Sequence, residues 1–399
     1  MRPALLLLAC LTFAQAQTVE EARLQQVATR LPALNAAFAG LTQDFAHDWA
    51  RSRDALEATR VAREYGRRLW LGAKARLHEQ GDFDDRPLYW ARLALTSTIR
   101  DNKPAFPLFE ADRAAAIAAL EQSSRGMDEI RYDPDRKIKR ILLTGFDPFA
   151  LERNLDQSNP SGVTALLLDG EEIVVNGERA RVEVAVFPVR YADFDAGMVE
   201  DFLTPWMAGP RALATRQAAE GKLPAGVQPQ VDMVVTVSMG REQFDLERYP
   251  GLRRSAKATD NLAALSGGSR KAPVIPLLHG LPLAGPEFVE FSLPVAAMQT
   301  ASGPYKVQDN RWVRVMPDTR MAAGGLAALH GKTAVEGGGG GYLSNEISYR
   351  SVRLRNQLGL AQLPVGHIHT PAIQAFEPAK TADITKQVRE MLKAAIKTL

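Results

Sequence analysis

The chain has 399 residues, 46% of them hydrophobic, which is enough for two ordinary domains and excludes a mainly disordered protein. Its 49 basic and 46 acidic residues are scattered, so the formal net charge of +3 forms no basic stripe and argues against a nucleic-acid partner. The single cysteine, Cys10, lies in the first segment, which leaves the folded part without a disulfide or a cysteine nucleophile.

That first segment, MRPALLLLACLTFAQAQTVE, has one arginine, an apolar stretch from Ala4 to Phe13 and small residues at Ala14 and Ala16. It has the shape of a secretory signal peptide over residues 1–16, and is shorter than the about 20 apolar residues a spanning helix needs. No later segment is long and apolar enough to span a membrane, so an exported protein, periplasmic or secreted, is expected. The alternative is a lipoprotein anchored through Cys10, because Leu7-Leu8-Ala9 precedes it.

From residue 17 to about 130 the pattern is helical. Leu24, Val27, Leu31, Leu34, Phe38, Leu41, Phe45 and Trp49 alternate at steps of three and four, one stripe of an amphipathic helix that Pro32 kinks or restarts. A second run from Asp54 to Gln80 stops at Gly81. A third opens at Pro87, and a fourth covers Leu108 to Ser124. These read as a separate helical bundle against the rest of the chain.

After the linker DEIRYDPDRKIKR, residues 131–399 change texture. Strand-length apolar runs at Arg140 to Phe146, Val182 to Val189, Val231 to Ser238 and Pro364 to His369 alternate with helical segments, and a helix closes the chain from Asp383 to Leu399. That is an α/β domain with a largely parallel sheet, whose sites gather in the loops after the strands.

Those loops carry the candidate chemistry. Phe146 and Phe149 follow the first strand, with Asn159-Pro160-Ser161 farther on, and two rings there either pack or wall a small flat ligand. Glu242, Asp245 and Glu247 follow the third. His367 and His369 end the last strand on one face; imidazoles so spaced can share an ion, but no third ligand is indicated and no metal is expected. Five glycines, 337–341, precede Ser344 at a helix entrance. The run reads first as a solvated flexible loop. Its alternative is a tight, amide-rich turn that delivers Ser344 to a helix N-terminus.

Six blocks select among these residues. TGFDPF, NPS, LER with Asp260-Asn261 thirteen residues after its glutamate, FSLP, GYLSN and GHIHTP occur in the order and approximate spacing of the pyroglutamyl (pyrrolidone-carboxylate) peptidases, which the stretch from Lys139 to Ala375 resembles. The resemblance implies a three-layer α/β/α sandwich of phosphorylase/hydrolase type, and removal of an N-terminal pyroglutamate from peptides without metal or cofactor. It implies Glu247 and His369 as catalytic residues, Phe146 and Phe149 as the rings that sandwich the pyrrolidone, and Asn159, Tyr342 and Leu343 as further pocket residues. The family's nucleophile is cysteine, and the matching residue here is Ser344. Ala150-Leu151 stands where the family has Gly-Gly, Thr300 to Val335 is an insertion, and the helical module has no counterpart in the compact members.

A serine needs general-base help that a thiolate does not, and Ser-His-Glu is a workable unit. The expectation is therefore an exported hydrolase acting on a peptide or small-molecule substrate, its homo-oligomeric state left open. The alternative is a catalytically inactive relative that binds pyroglutamyl or other N-blocked peptides.

Overall fold

The structure, a computed structural model, describes residues 17–134, 137–209 and 228–399; the expected leader and Cys10 lie outside the described residues. After a first short helix, α1 (Val19–Ala22), the first apolar stripe is cut into α2 (Leu24–Arg30), α3 (Pro32–Ala36) and α4 (Ala39–Arg51). Pro32 takes the first position of α3, where its missing N–H costs nothing. The next three helices follow their sequence signals. α5 (Ala55–Gln80) starts where Asp54 accepts from the Glu57 N–H and stops at Gly81, whose φ of 62° is left-handed. α6 (Arg86–Asp101) carries Pro87 in its first turn, and α7 is Glu110–Ser123.

The strands run β1 (Ile138–Phe146), β2 (Glu172–Val175), β3 (Glu178–Phe187), β4 (Met233–Met239), β5 (Phe244–Glu247), the hairpin β6–β7 (Leu277–Leu278, Leu281–Pro282), β8 (Val307–Asn310), β9 (Trp312–Val315), β10 (Thr319–Ala322), β11 (Ala334–Glu336) and β12 (Val365–Thr370). Seven form one mixed sheet in the order β2-β3-β1-β4-β12-β5-β8. Its centre, β3-β1-β4-β12, is parallel, while β2 and β5 run antiparallel to β3 and β12. Buried on both faces, the central strands are nearly continuous in Val, Ile and Leu. One face is covered by α8 (Pro160–Leu168) and the terminal helix Pro378–Ile396, the other by the helices Met198–Ala208 and Leu343–Gln357. This is the expected α/β sandwich with its N-terminal helical region.

Two expectations change. The segment Thr300 to Val335 supplies β8 to the edge of the main sheet, then folds β9 and β10 with β11 into a small antiparallel sheet over its own core of Tyr249, Phe288, Val313, Val315 and Leu329. The helical module does not stand apart as a bundle. Trp49, Leu69, Trp70, Leu88 and Leu95 belong to the same continuous core as β1, β3 and β4. The junction is polar as well as apolar: Arg92 and Arg125 both bond the buried Asp147, and Arg190 bonds Glu20.

Candidate active site

The loop after β1 begins at Asp147, which the module's Arg92 holds at 2.9 Å and Arg125 at 2.6 Å. Ala150 then takes a left-handed φ of 60°, a conformation that favours glycine. The Asn159 amide caps α8: its oxygen accepts from the Ser161 N–H and hydroxyl, and its nitrogen donates to the Asp147 carbonyl. The module reaches this point too, because the Asp85 carboxylate accepts from the Ser158 hydroxyl and the Asn159 N–H. Burial, opposed by the Ser158 bond, pushes the Asp85 carboxyl up to about 8.

The glycine run is a packed turn, not a solvated loop. Gly337 and Gly340 bond each other's backbones, the Gly338 N–H donates to the Tyr249 carbonyl, and the Gly341 carbonyl accepts from the Ser255 and Ala256 N–H groups. Gly340 has a φ of 88°, and a Cβ on Gly338 would lie 2.5 Å from Glu247 Oε2. Cβ atoms on Gly337 and Gly341 would overlap the Asn345 and Ser255 side chains. The entropy cost of five glycines is thus met by close approach of the backbone to the Glu247 carboxylate and to the start of the next helix.

That helix, Leu343–Gln357, has Ser344 in its first turn and no side-chain cap on its N-terminus. Among the described residues the Leu343, Ser344 and Asn345 N–H groups have no hydrogen-bond partner, so they carry the positive end of the helix dipole.

Glu247 ends β5 fully buried, and His369, the register partner of Asp245, lies diagonally across from it on β12, almost fully buried. Glu247 Oε1 is 2.6 Å from His369 Nδ1, and Oε2 accepts from Asn310 Nδ2 at 2.7 Å. Asn310 also donates to the Gly338 carbonyl, which ties the insertion and the glycine turn to one carboxylate. Such a carboxylate fixes the imidazole ring and its tautomer, placing the proton on Nδ1 and leaving Nε2 a free acceptor.

Ser344 lies next door. It lines one cavity with Phe146, Phe149, Asn159, Val189, Ser238, Met239, Tyr342 and Leu343. All the pocket residues implied by the resemblance thus meet in one place, while His369 and Glu247 stand outside the wall and Ser344 makes no hydrogen bond to His369. The cavity measures about 20 Å3, room for roughly one water. Phe146 is buried and stacked on Phe194 at 6.2 Å, and the Tyr342 hydroxyl donates to the Thr259 carbonyl. Phe149 is half-buried and has no ring partner among the described residues.

His367 has a different role from a ligand. Its Nδ1 lies 2.7 Å from Thr236 Oγ1 and its Nε2 2.7 Å from Ser238 Oγ, so both nitrogens are engaged by hydroxyls. Sequence reasoning missed Ser238, Met239, Val189 and Asn310 as site residues. A β4 position paired with β12 could have pointed to Ser238, since His369 and Ser238 are register partners.

Comparisons with known proteins follow the same division of the chain. The model of the PA0049 N-terminal domain matches residues 3–121, and that of the PA0049 C-terminal domain matches residues 140–280 and 296–374. Protein PA0049 of Pseudomonas aeruginosa is 29% identical over 412 aligned residues, which cover 80% of this chain and 70% of the relative. Similar solved structures include pyrrolidone carboxyl peptidase of the hyperthermophile Pyrococcus furiosus. A point mutant of that enzyme has 20% identity and a TM-score of 0.41, over 65% of this chain and 99% of that one. The enzyme solved together with its Cys-free mutant has 21% identity and a TM-score of 0.40, over 65% and 97%. On the two matching domain models, the chain belongs to the PA0049 family.

Proposed function

We propose that this chain is an exported hydrolase that removes an N-terminal pyroglutamyl or similar N-blocking residue from peptides, with Ser344 as nucleophile, His369 as base and Glu247 as its orienting carboxylate. The observation that carries the reading is the 2.6 Å contact of Glu247 with His369 Nδ1, made beside a cavity that contains a serine on a helix N-terminus. Export is supported by the signal-like shape of residues 1–16.

In this reading Phe149 turns aside to admit the ring, and Ser344 rotates toward His369 Nε2, a contact that tightens only with substrate bound. The hydroxyl attacks the acyl carbon as Nε2 takes its proton, and the negative oxygen faces the free N–H groups of the helix start. Collapse breaks the C–N bond, and the departing amine takes the proton back from Nε2. Water, deprotonated by the same nitrogen, then splits the Ser344 ester to release the acid and restore the hydroxyl. Glu247 keeps its charge throughout and stabilises the imidazolium.

The test is release of the leaving group from a pyroglutamyl chromogenic amide by the purified mature protein. Wild type should turn over, Ser344→Ala should lose nearly all activity, and Ser344→Cys should lose activity in a site tuned for a hydroxyl. The missing Ser344–His369 bond favours the second reading, a non-catalytic binder of N-blocked peptides. Silence of wild type and Ser344→Cys together with measurable peptide binding would establish it instead.

A further inference from the structure

One wall residue of the Ser344 cavity, Ser238, makes a serine–histidine contact that the proposed chemistry leaves unused. Its proton order follows from the bonds. Thr236 Oγ1 lies 3.2 Å from the Gly366 carbonyl and 2.7 Å from His367 Nδ1, and it bonds both by giving its hydrogen to the carbonyl and accepting from the ring. His367 Nδ1 therefore carries the ring proton and donates it to Thr236. Nε2 is left as an acceptor, and at 2.7 Å it takes the Ser238 hydroxyl proton. Ser238 Oγ is thus held with its hydrogen turned away and its lone pairs free, since no other polar group among the described residues reaches it.

The rest of the cavity wall is apolar or already engaged. Asn159 is bonded elsewhere, the Tyr342 hydroxyl gives its hydrogen to Thr259, Met239 Sδ accepts from the Ile373 N–H, and Phe146, Phe149, Val189 and Leu343 offer no side-chain acceptor. Apart from the reacting Ser344, the side-chain oxygens of the wall that keep lone pairs for a ligand's donor are Ser238 Oγ and the Tyr342 hydroxyl, and Ser238 Oγ is the one whose hydrogen is held by a buried imidazole. A nearly apolar site with a fixed acceptor rejects ligands that lack the matching N–H, because the buried acceptor is then left unpaired.

We propose that Ser238 recognises the ring N–H of a lactam in this cavity and that His367 is its positioning residue. The inference rests on the pyroglutamyl reading and adds a selectivity element to it. Burial, reinforced by His369, holds the His367 imidazole well below its ordinary range, which keeps it neutral and its Nε2 lone pair available to Ser238.

The experiment compares calorimetric binding of pyroglutamamide with that of the five-membered lactone carboxamide, in which a ring oxygen replaces the N–H. Wild type should prefer the lactam by about tenfold or more, the scale of one buried hydrogen bond. Ser238→Ala should bring the two ligands close to parity, and so should His367→Phe, which releases the Ser238 proton toward the cavity. If Ser238→Ala fails to fold, the near-isosteric Ser238→Cys, a weak acceptor, should show the same loss. Equal wild-type binding of lactam and lactone, or an unchanged preference in the Ser238 variant, overturns this inference and leaves the pyroglutamyl hydrolase reading standing. Failure of wild type to bind either ligand overturns both.

Discussion

His367 and His369 sit two positions apart on β12 with their rings 4.9 Å apart at 85°, yet their surroundings assign them opposite work. His369 faces a carboxylate, whereas His367 faces Thr236, Ser238 and the edge of His369, with no acidic group bonded to it. The difference makes a pH prediction. Burial keeps the folded-state His367 neutral, while the unfolded chain takes up a proton below the ordinary value of 6.5. The unfolded state then binds more protons, so the stability tied to this residue is fully present above that pH and is lost as pH falls below it. Denaturant midpoints should drop more steeply between about pH 7 and 5 in wild type than in His367→Gln, whose side chain does not titrate. Equal slopes would show that His367 accepts a proton in the fold. At this scale the six sequence blocks made Ser344, His369, Glu247, Phe146 and Phe149 legible. Ser238 and Asn310 stayed hidden because one hydroxyl and one amide carry no local signature, and their partners lie 129 and 63 residues away.

The glycine turn shows what an element can conceal. A run of five glycines reads as slack chain from sequence alone, since nothing local tells a flexible loop from a backbone pressed against a partner. The structure presses Gly338 onto Glu247, so one added methyl must displace the carboxylate that holds His369. Gly338→Ala should therefore leave the circular dichroism spectrum and KM near wild type and lower kcat by about 100-fold, the cost of misplacing a catalytic group by roughly 1 Å. Unchanged kcat would mean that the Glu247–His369 pair does not orient the reaction. α5 and α6 were readable to within a residue or two because Asp54, Gly81 and Pro87 are strong stop and start signals. The division of the first stripe into three helices was not, because apolar spacing continues across each break while the backbone does not.

Across the whole molecule, strand-length apolar runs alternating with helices were enough to read the α/β class, but not how the helical module meets it. Amphipathic stripes say that a face is buried and not against what. Here the module shares the main core, and its Arg92, Arg125 and Asp85 hold Asp147, Ser158 and Asn159, which carry the loops around the Ser344 cavity. The insertion likewise delivers Asn310 to Glu247. Parts outside the six blocks are thus built around the Glu247–His369 pair and the Ser344 cavity, on which the proposed unit of Ser344, His369 and Glu247 rests. The most direct measurement is a mutant cycle on pyroglutamyl amide hydrolysis with Ser344→Ala, His369→Ala and the double variant. Each single substitution should cost about as much in kcat as the pair, because members of one catalytic unit are strongly non-additive. Multiplying losses, or activity that survives Ser344→Ala, would contradict the account.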